Sequence, residues 1–170
     1  SPKNHLNDAY LITGGWGALG LQVAQWLAEK GAKQLVLTGI SEPSPQALKI
    51  ISNLQRSGTQ IKIIKADLSD SDQVNHIFTE FNSNSPKKGN KQHKAPLTLR
   101  GVIHAAGVLD DGLLLNQNWQ RFETVMKPKI IGTWNLHQAT KDRNLDFFVC
   151  FSSIVSLIGS PGQGNYSACL

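Results

Sequence analysis

At 170 residues, 40% hydrophobic and 17% charged, the chain has the size and composition of a single globular domain with a sizeable core. No apolar run approaches the roughly 20 residues that span a bilayer, which excludes a helical membrane protein. The net charge of +5 invites nucleic acid as a partner, but four of the five excess charges, Lys87, Lys88, Lys91 and Lys94, sit in the acid-free stretch Asn82 to Ala95, where no aromatic is interleaved to stack a base. That stretch reads as a solvated insertion at 82–95, and the rest of the chain is nearly neutral. The polar opening Ser1-Pro2-Lys3-Asn4-His5 lacks an initiator methionine and a signal-type apolar stretch, so we expect a segment of a longer, cytoplasmic polypeptide. Cys150 and Cys169 match neither a disulfide framework nor a metal spacing; we expect buried or incidental thiols and no metal site.

In chain order, Ala9 to Thr13 is a short apolar run with Gly14-Gly15 behind it, and from Gly17 to Lys30 apolar residues at Leu19, Val23, Trp26 and Leu27 recur at helical spacing. Gly31 stops this helix, and Gln34 to Thr38 is apolar on both faces, as parallel strands covered by helices are. Ser44-Pro45 opens a helix that runs to Ser57, Gly58 ends it, and Ile61 to Lys65 makes a third strand. A helix from Ser71 to Phe81 leads into the insertion. Beyond it the pattern predicts a strand at Gly101 to His104, helical periodicity at Trp119 to Val125 and Ile131 to Lys141, and a fifth strand at Phe147 to Phe151.

Such alternation demands right-handed crossovers between parallel strands, which predicts an α/β fold with a Rossmann-like, doubly wound sheet of order 3-2-1-4-5. Ligands of such sheets sit beyond the carboxyl ends of the strands where the order reverses, here after strands 1, 4 and 5.

After strand 1, Gly15-Trp16-Gly17-Ala18-Leu19-Gly20 fits G-x-G-x-x-G between a strand and a helix, where glycines let a pyrophosphate approach the backbone and the helix N-terminus offers it free amides. A glycine turn without a ligand is the alternative. The end of strand 2 reads Thr38-Gly39-Ile40-Ser41-Glu42, with no arginine for a 2′-phosphate; Thr38 and Ser41 are its possible donors, and Glu42 lies late for a ribose-binding acid. After strand 3, Asp67 is placed to accept from an adenine amine, or else Asp67 or Asp70 caps the next helix.

Strand 5 ends in Ser152-Ser153, and Tyr166 follows a loop rich in glycine. A hydroxyl at a strand's carboxyl end with a tyrosine thirteen residues later suits carbonyl reduction, in which serine polarises the ketone and tyrosine delivers a proton. A phenol with its ordinary pKa near 10 exchanges protons poorly at pH 7, so a nearby cation is needed to lower it. Simple short-chain dehydrogenases supply a lysine four residues after the tyrosine; here that position is Leu170.

The chain instead resembles the ketoreductase domains of modular type I polyketide synthases, members of the short-chain dehydrogenase/reductase superfamily. The resemblance covers nearly the whole chain and rests on Tyr10-Leu-Ile-Thr-Gly-Gly, Gly101-Val-Ile-His-Ala-Ala-Gly-Val-Leu-Asp-Asp, Lys127-Pro-Lys-Ile-Ile-Gly-Thr-Trp-Asn-Leu-His and Phe147-Phe-Val-Cys-Phe-Ser-Ser through Gly162-Gln-Gly-Asn-Tyr. It implies that Ser153 polarises the ketone, Tyr166 donates the proton and Lys129 takes the lysine role. It implies NADPH as hydride donor, with Thr13, Gly15, Trp16, Gly17, Leu19, Gly20, Ser41, Asp67, Leu68, Ala105, Ala106 and Gly107 lining the cofactor site. The implied substrate is a β-ketoacyl chain on the phosphopantetheine arm of an acyl carrier protein, and the implied neighbours are flanking synthase domains.

Leu109-Asp110-Asp111, with no tryptophan in the loop before Tyr166, resembles the class that yields a D-configured alcohol. The sequence departs from the family at three positions. Ile40 replaces an arginine, Trp16 a small residue or threonine, with bulk to crowd the pyrophosphate, and Leu170 an asparagine. We therefore expect residues 1–170 to be one ketoreductase subdomain, truncated at its C-terminus, with an inactive remnant serving docking or weak nucleotide binding as the alternative. A generic dehydrogenase of small free substrates is a third reading, and it lacks the tyrosine-to-lysine spacing.

Overall fold

A computed structural model describes residues 6–81, 97–106 and 130–151. Along these the chain runs β1 (Asp8–Thr13), α1 (Ala18–Glu29), β2 (Gln34–Gly39), α2 (Pro45–Arg56), β3 (Gln60–Lys65), α3 (Ser71–Thr79), β4 (Thr98–His104), α4 (Gly132–Thr140) and β5 (Phe147–Cys150). All four pairings are parallel and the sheet order is β3-β2-β1-β4-β5, the Rossmann-like arrangement expected from sequence, reversing between β1 and β4.

Local chemistry sets the helix ends. The Ser44 hydroxyl accepts from the Ala47 N–H at 3.1 Å with Pro45 in the first turn of α2, and the Asp70 carboxylate accepts from the amides of Asp72 and Gln73 to open α3. Gly31 and Gly58 follow α1 and α2 at φ of +96° and +99°, the left-handed geometry that lets the chain leave a helix.

Strand alternation divides the core in two. Leu11, Val36 and Val102 point to one face, against Val74, Ile77 and Phe78 of α3 and Leu136 of α4. Ile12, Leu35, Leu37 and Ile103 point to the other, against Leu21, Ala24 and Leu27 of α1 and Ala47 and Ile51 of α2. With both faces covered, β1 and β2 need no polar alternation, which is why they read as continuous apolar runs, whereas β3 at the edge of the sheet is largely exposed.

One boundary is corrected, that of β4, and the packing of α1 and the setting of Cys150 are added. The sheet-facing side of α1 is Gly20, Leu21, Ala24 and Leu27, whereas Leu19 and Trp26 of the apolar stripe noted in the sequence are 41% and 54% exposed. Small residues at Gly20 and Ala24 let the helix approach the sheet, and Leu19, Val23 and Trp26 turn toward β5, where with Ile103, Phe147, Val149 and Phe151 they line a groove of about 430 Å³. β4 starts at Thr98 rather than Gly101, because the register slips between Ala9–Leu99 and Tyr10–Gly101 and makes Arg100 an extra residue. The slip takes Arg100 out of the ladder, and its guanidinium lies 3.1 Å from Asp146. Cys150 is exposed, which removes the buried alternative for this thiol.

The insertion 82–95, the helix expected at Trp119 to Val125 and Cys169 lie outside the described residues. Among the described residues no helix is long and apolar enough to cross a membrane.

Candidate functional site

The carboxyl ends of β1, β2 and β4 meet at the turn Gly14 to Gly20. Gly14 sits at φ +62°, and a Cβ there would lie 2.6 Å from the Ala105 carbonyl oxygen and 2.9 Å from Ala106 Cα. Strand 1 can therefore pass this close to the exit of strand 4 only through a glycine. At Gly15 a Cβ would meet Leu37 Cβ at 2.7 Å and the Ile12 carbonyl oxygen at 2.8 Å. Its amide donates to the Thr38 carbonyl at 2.8 Å, fixing the turn to β2. A Cβ on Gly20 would strike the Gly14 carbonyl oxygen, so the third glycine of the motif sets the helix against the turn, whereas Gly17 has only that oxygen nearby, at 3.3 Å.

Gly17 is the N-cap of α1 and brings no capping side chain, and no acid stands in the first turn. The Leu21 N–H reaches the Gly17 carbonyl at 2.9 Å, so the amides of Ala18, Leu19 and Gly20 precede the helical ladder. By contrast α2 and α3 are closed by Ser44 and Asp70. An open N-terminus with its partial positive charge, next to a backbone cradle that a Cβ would fill, fits the pyrophosphate of a dinucleotide.

The bulk of Trp16, read from sequence alone, would crowd the pyrophosphate. The structure instead lays its indole over Gly39 at the tip of β2, where a Cβ would run into the ring. Trp16 and Gly39 are thus a matched pair, and only the fold brings them together. Beyond Gly39, Ile40 is 58% exposed and Ser41 is exposed. Thr38, a possible phosphate donor by its position in the sequence, is fully buried; its side chain faces the core, so this donor role is withdrawn. Thr13 is also fully buried, and its hydroxyl lies 2.6 Å from His104 Nδ1 at the end of β4. It acts by clamping the two strands between which the nucleotide turn sits.

At the tip of β3, Asp67 Oδ1 accepts from the Ser69 amide at 2.9 Å and the Ser69 hydroxyl at 2.7 Å. The capping role falls to Asp70, and Asp67 organises its own loop. Leu68 is buried, and its carbonyl accepts from Asn135 Nδ2 of α4 at 2.8 Å. Leu19 stands in the first turn of α1, and Ala105 and Ala106 form the half-buried exit of β4, held by the Ala105 amide on the Thr13 carbonyl at 3.1 Å.

Sequence reasoning missed Gly39, His104 and Asn135 as site-shaping residues. The last two stand inside segments that carry the family resemblance, which was the available signal. Gly107, Lys129, Ser153, Tyr166 and Leu109 to Asp111 lie outside the described residues. Among the described residues no cluster of three or more His, Cys, Asp or Glu could hold a metal.

The KR domain family model matches residues 8–169. The chain is 40% identical over 162 residues to a phenolphthiocerol/phthiocerol polyketide synthase of Mycobacterium tuberculosis, covering 95% of the chain. It is 33% identical over 171 residues to the highly reducing polyketide synthase VdtX of Byssochlamys spectabilis, covering 99%. It spans 7% of the length of each synthase. Among solved structures, a ketoreductase domain from the bacillaene assembly line superposes with a TM-score of 0.83 at 32% identity, covering 99% of this chain and 39% of that one. The chain therefore belongs to the KR domain family, the ketoreductase domains of type I polyketide synthases within the short-chain dehydrogenase/reductase superfamily.

Proposed function

We propose that residues 1–170 form one ketoreductase subdomain of a larger cytoplasmic synthase, and that it reduces a carrier-protein-bound β-ketoacyl intermediate to the D-configured β-hydroxyacyl form with NADPH. The observation that carries this reading is the cradle at the sheet's reversal point, where Gly14 lies against Ala105 and Ala106 beside the uncapped N-terminus of α1. Gly15, Trp16, Gly17, Leu19, Gly20, Ala105, Ala106 and Gly107 would line the pyrophosphate and ribose, with Thr13 holding the turn from beneath. Asp67 and Leu68 border the adenine, and Ser41 the 2′-phosphate. Bound there, NADPH would supply the hydride taken by the ketone carbon. Ser153 donates a hydrogen bond to the ketone oxygen, Tyr166 delivers the proton to it, and Lys129 keeps the phenol's pKa low enough for that transfer. The phosphopantetheine arm of an acyl carrier protein presents the substrate, and flanking synthase domains hold the carrier nearby.

The test is NADPH consumption with a β-ketoacyl thioester, alongside calorimetric titration of NADPH into the full chain. Tyr166→Phe is expected to lower turnover by about 10²–10⁴-fold while NADPH still binds. A folded chain that binds no NADPH would refute the proposal. Binding without turnover would favour the second reading, a non-catalytic docking or nucleotide-binding module, for which Ile40 and Leu170 speak.

A further inference from the structure

The tip of β2 has lost the cation a 2′-phosphate calls for, since Ile40 stands exposed where the family resemblance sets an arginine. The neighbouring strand supplies one. Lys65 ends β3, is the register partner of Gly39, and is held beside it by the Ala66 amide donating to the Gly39 carbonyl at 2.9 Å. In-register parallel neighbours send their side chains to the same face, so Lys65 leaves the sheet on the side where Trp16 covers Gly39. From there its Nζ reaches over the strand tips to Glu42, next to Ser41 in the β2–α2 connection, at 2.7 Å from Oε1.

We propose that Lys65 is the residue that recognises the 2′-phosphate, with Glu42 as a placeholder that the phosphate displaces. This rests on the NADPH reading above. Both partners are exposed, with 57% of the Lys65 and 77% of the Glu42 side chain accessible, so the pair is solvent-screened and cheap to break. A 2′-phosphate carries about −1.5 to −2 charges and several acceptor oxygens against one charge on Glu42, so Lys65 gains by the exchange. Among the described residues Glu42 has its ion pair with Lys65 alone to surrender, and it lies on an exposed connection, free to swing into water. Ser41 offers a hydroxyl beside the same point, and its neighbour Ile40 offers nothing to an anion. Lys65 is therefore a specificity-determining residue that arrives from β3 instead of β2.

The experiment measures the affinities of NADPH and NADH for the full chain by calorimetry, for the unaltered protein, Lys65→Met, Lys65→Arg and Glu42→Gln. Lys65→Met is expected to weaken NADPH about tenfold, the loss of one screened charge-assisted contact, and NADH by less than about twofold. Lys65→Arg retains the preference, and Glu42→Gln tightens NADPH several-fold by removing the competitor. The preference for NADPH over NADH falls as salt is raised. An unaltered NADPH-to-NADH ratio in folded Lys65→Met overturns this inference and leaves the nucleotide-binding reading intact. An unaltered protein that binds neither dinucleotide overturns both.

Discussion

Gly14→Ala separates the two demands made of the nucleotide turn when it is compared with Gly58→Ala. Both glycines have positive φ, +62° and +99°, so an alanine at either site costs about 1–2 kcal/mol in backbone strain. They differ in surroundings. A Cβ on Gly58 meets nothing within 4 Å, whereas a Cβ on Gly14 lies 2.6 Å from the Ala105 oxygen, 2.8 Å from the Ala105 carbonyl carbon and 2.9 Å from Ala106 Cα. All three are backbone atoms, so no rotamer change relieves the overlap and β1 and β4 must separate at their ends. Overpacking of this kind adds about 1–3 kcal/mol, for a total of about 2–5 kcal/mol at Gly14 against 1–2 at Gly58. Equilibrium urea unfolding gives the two stabilities, and NADPH titration of the folded variants gives affinity. Gly14→Ala is expected to weaken NADPH at least about tenfold because the cradle is displaced, and Gly58→Ala to leave it unchanged. Equal costs for the two variants, or unaltered NADPH affinity in Gly14→Ala, would refute the idea that the close approach to β4 shapes the site.

Thr13→Val removes the hydroxyl that meets His104 Nδ1 at 2.6 Å in a fully buried position, and is expected to cost about 1–3 kcal/mol in urea unfolding, with a weaker NADPH complex because the β1–β4 clamp loosens. Asn135→Leu strips the Leu68 carbonyl of its donor, and is expected to weaken NADPH through the Asp67–Leu68 loop while a stability loss of about 1–3 kcal/mol appears in the same unfolding assay. The sequence holds two tyrosines, which should separate in an ultraviolet difference titration. Burial first, then the Asp8 and Asp146 carboxylates, raise Tyr10 above its ordinary 10.0. The stability this brings is complete below that value and lost as pH rises through the folded pKa. Tyr166→Phe is expected to delete the lower of the two titrations, and loss of the higher one would contradict the assignment. Asp70 runs the opposite way: its hydrogen bonds from the Gln73 side chain and amide and from the Asp72 amide lower its pKa below 3.8. Its cap on α3 is therefore intact above that value and lost as pH falls through the folded pKa, which amide exchange at Asp72 and Gln73 measures.

The elements themselves were legible because each has a local cause. Ser44-Pro45 and the glycines at positions 31 and 58 act over one helical turn, and strands buried on both faces announce themselves as apolar runs. What could not be read is the partner of each face. The apolar residues Leu19, Val23, Trp26 and Leu27 mark α1 by their spacing but do not say which side meets the sheet, and of the four only Leu27 is buried, alongside Gly20, Leu21 and Ala24. The sheet takes the smaller residues because a helix crossing strands at close range needs Gly20 and Ala24 more than it needs bulk. Arg100 hid the first half of β4 for a related reason: a charge within a strand argues against burial until the register slip that releases it is seen.

At the site, the glycine spacing identified residues that meet backbone, and failed where a side chain's partner lies on another strand. Trp16 with Gly39 and Lys65 with Glu42 are both pairings at the carboxyl ends of neighbouring strands, invisible to spacing because they depend on which strands lie side by side. Thr38, Thr13 and His104 depend on register most. They form one in-register row across β2, β1 and β4, all pointing away from Ile12, Leu37 and Ile103. A slip of one residue in any of the three strands would exchange a member of that row for the neighbouring isoleucine or leucine, sending a polar group into one face of the core and moving the turn by a residue. The alternation that fills the core thus also fixes where β1 stops, which of the glycines meets Ala105, and hence where an anion can approach the amides of α1.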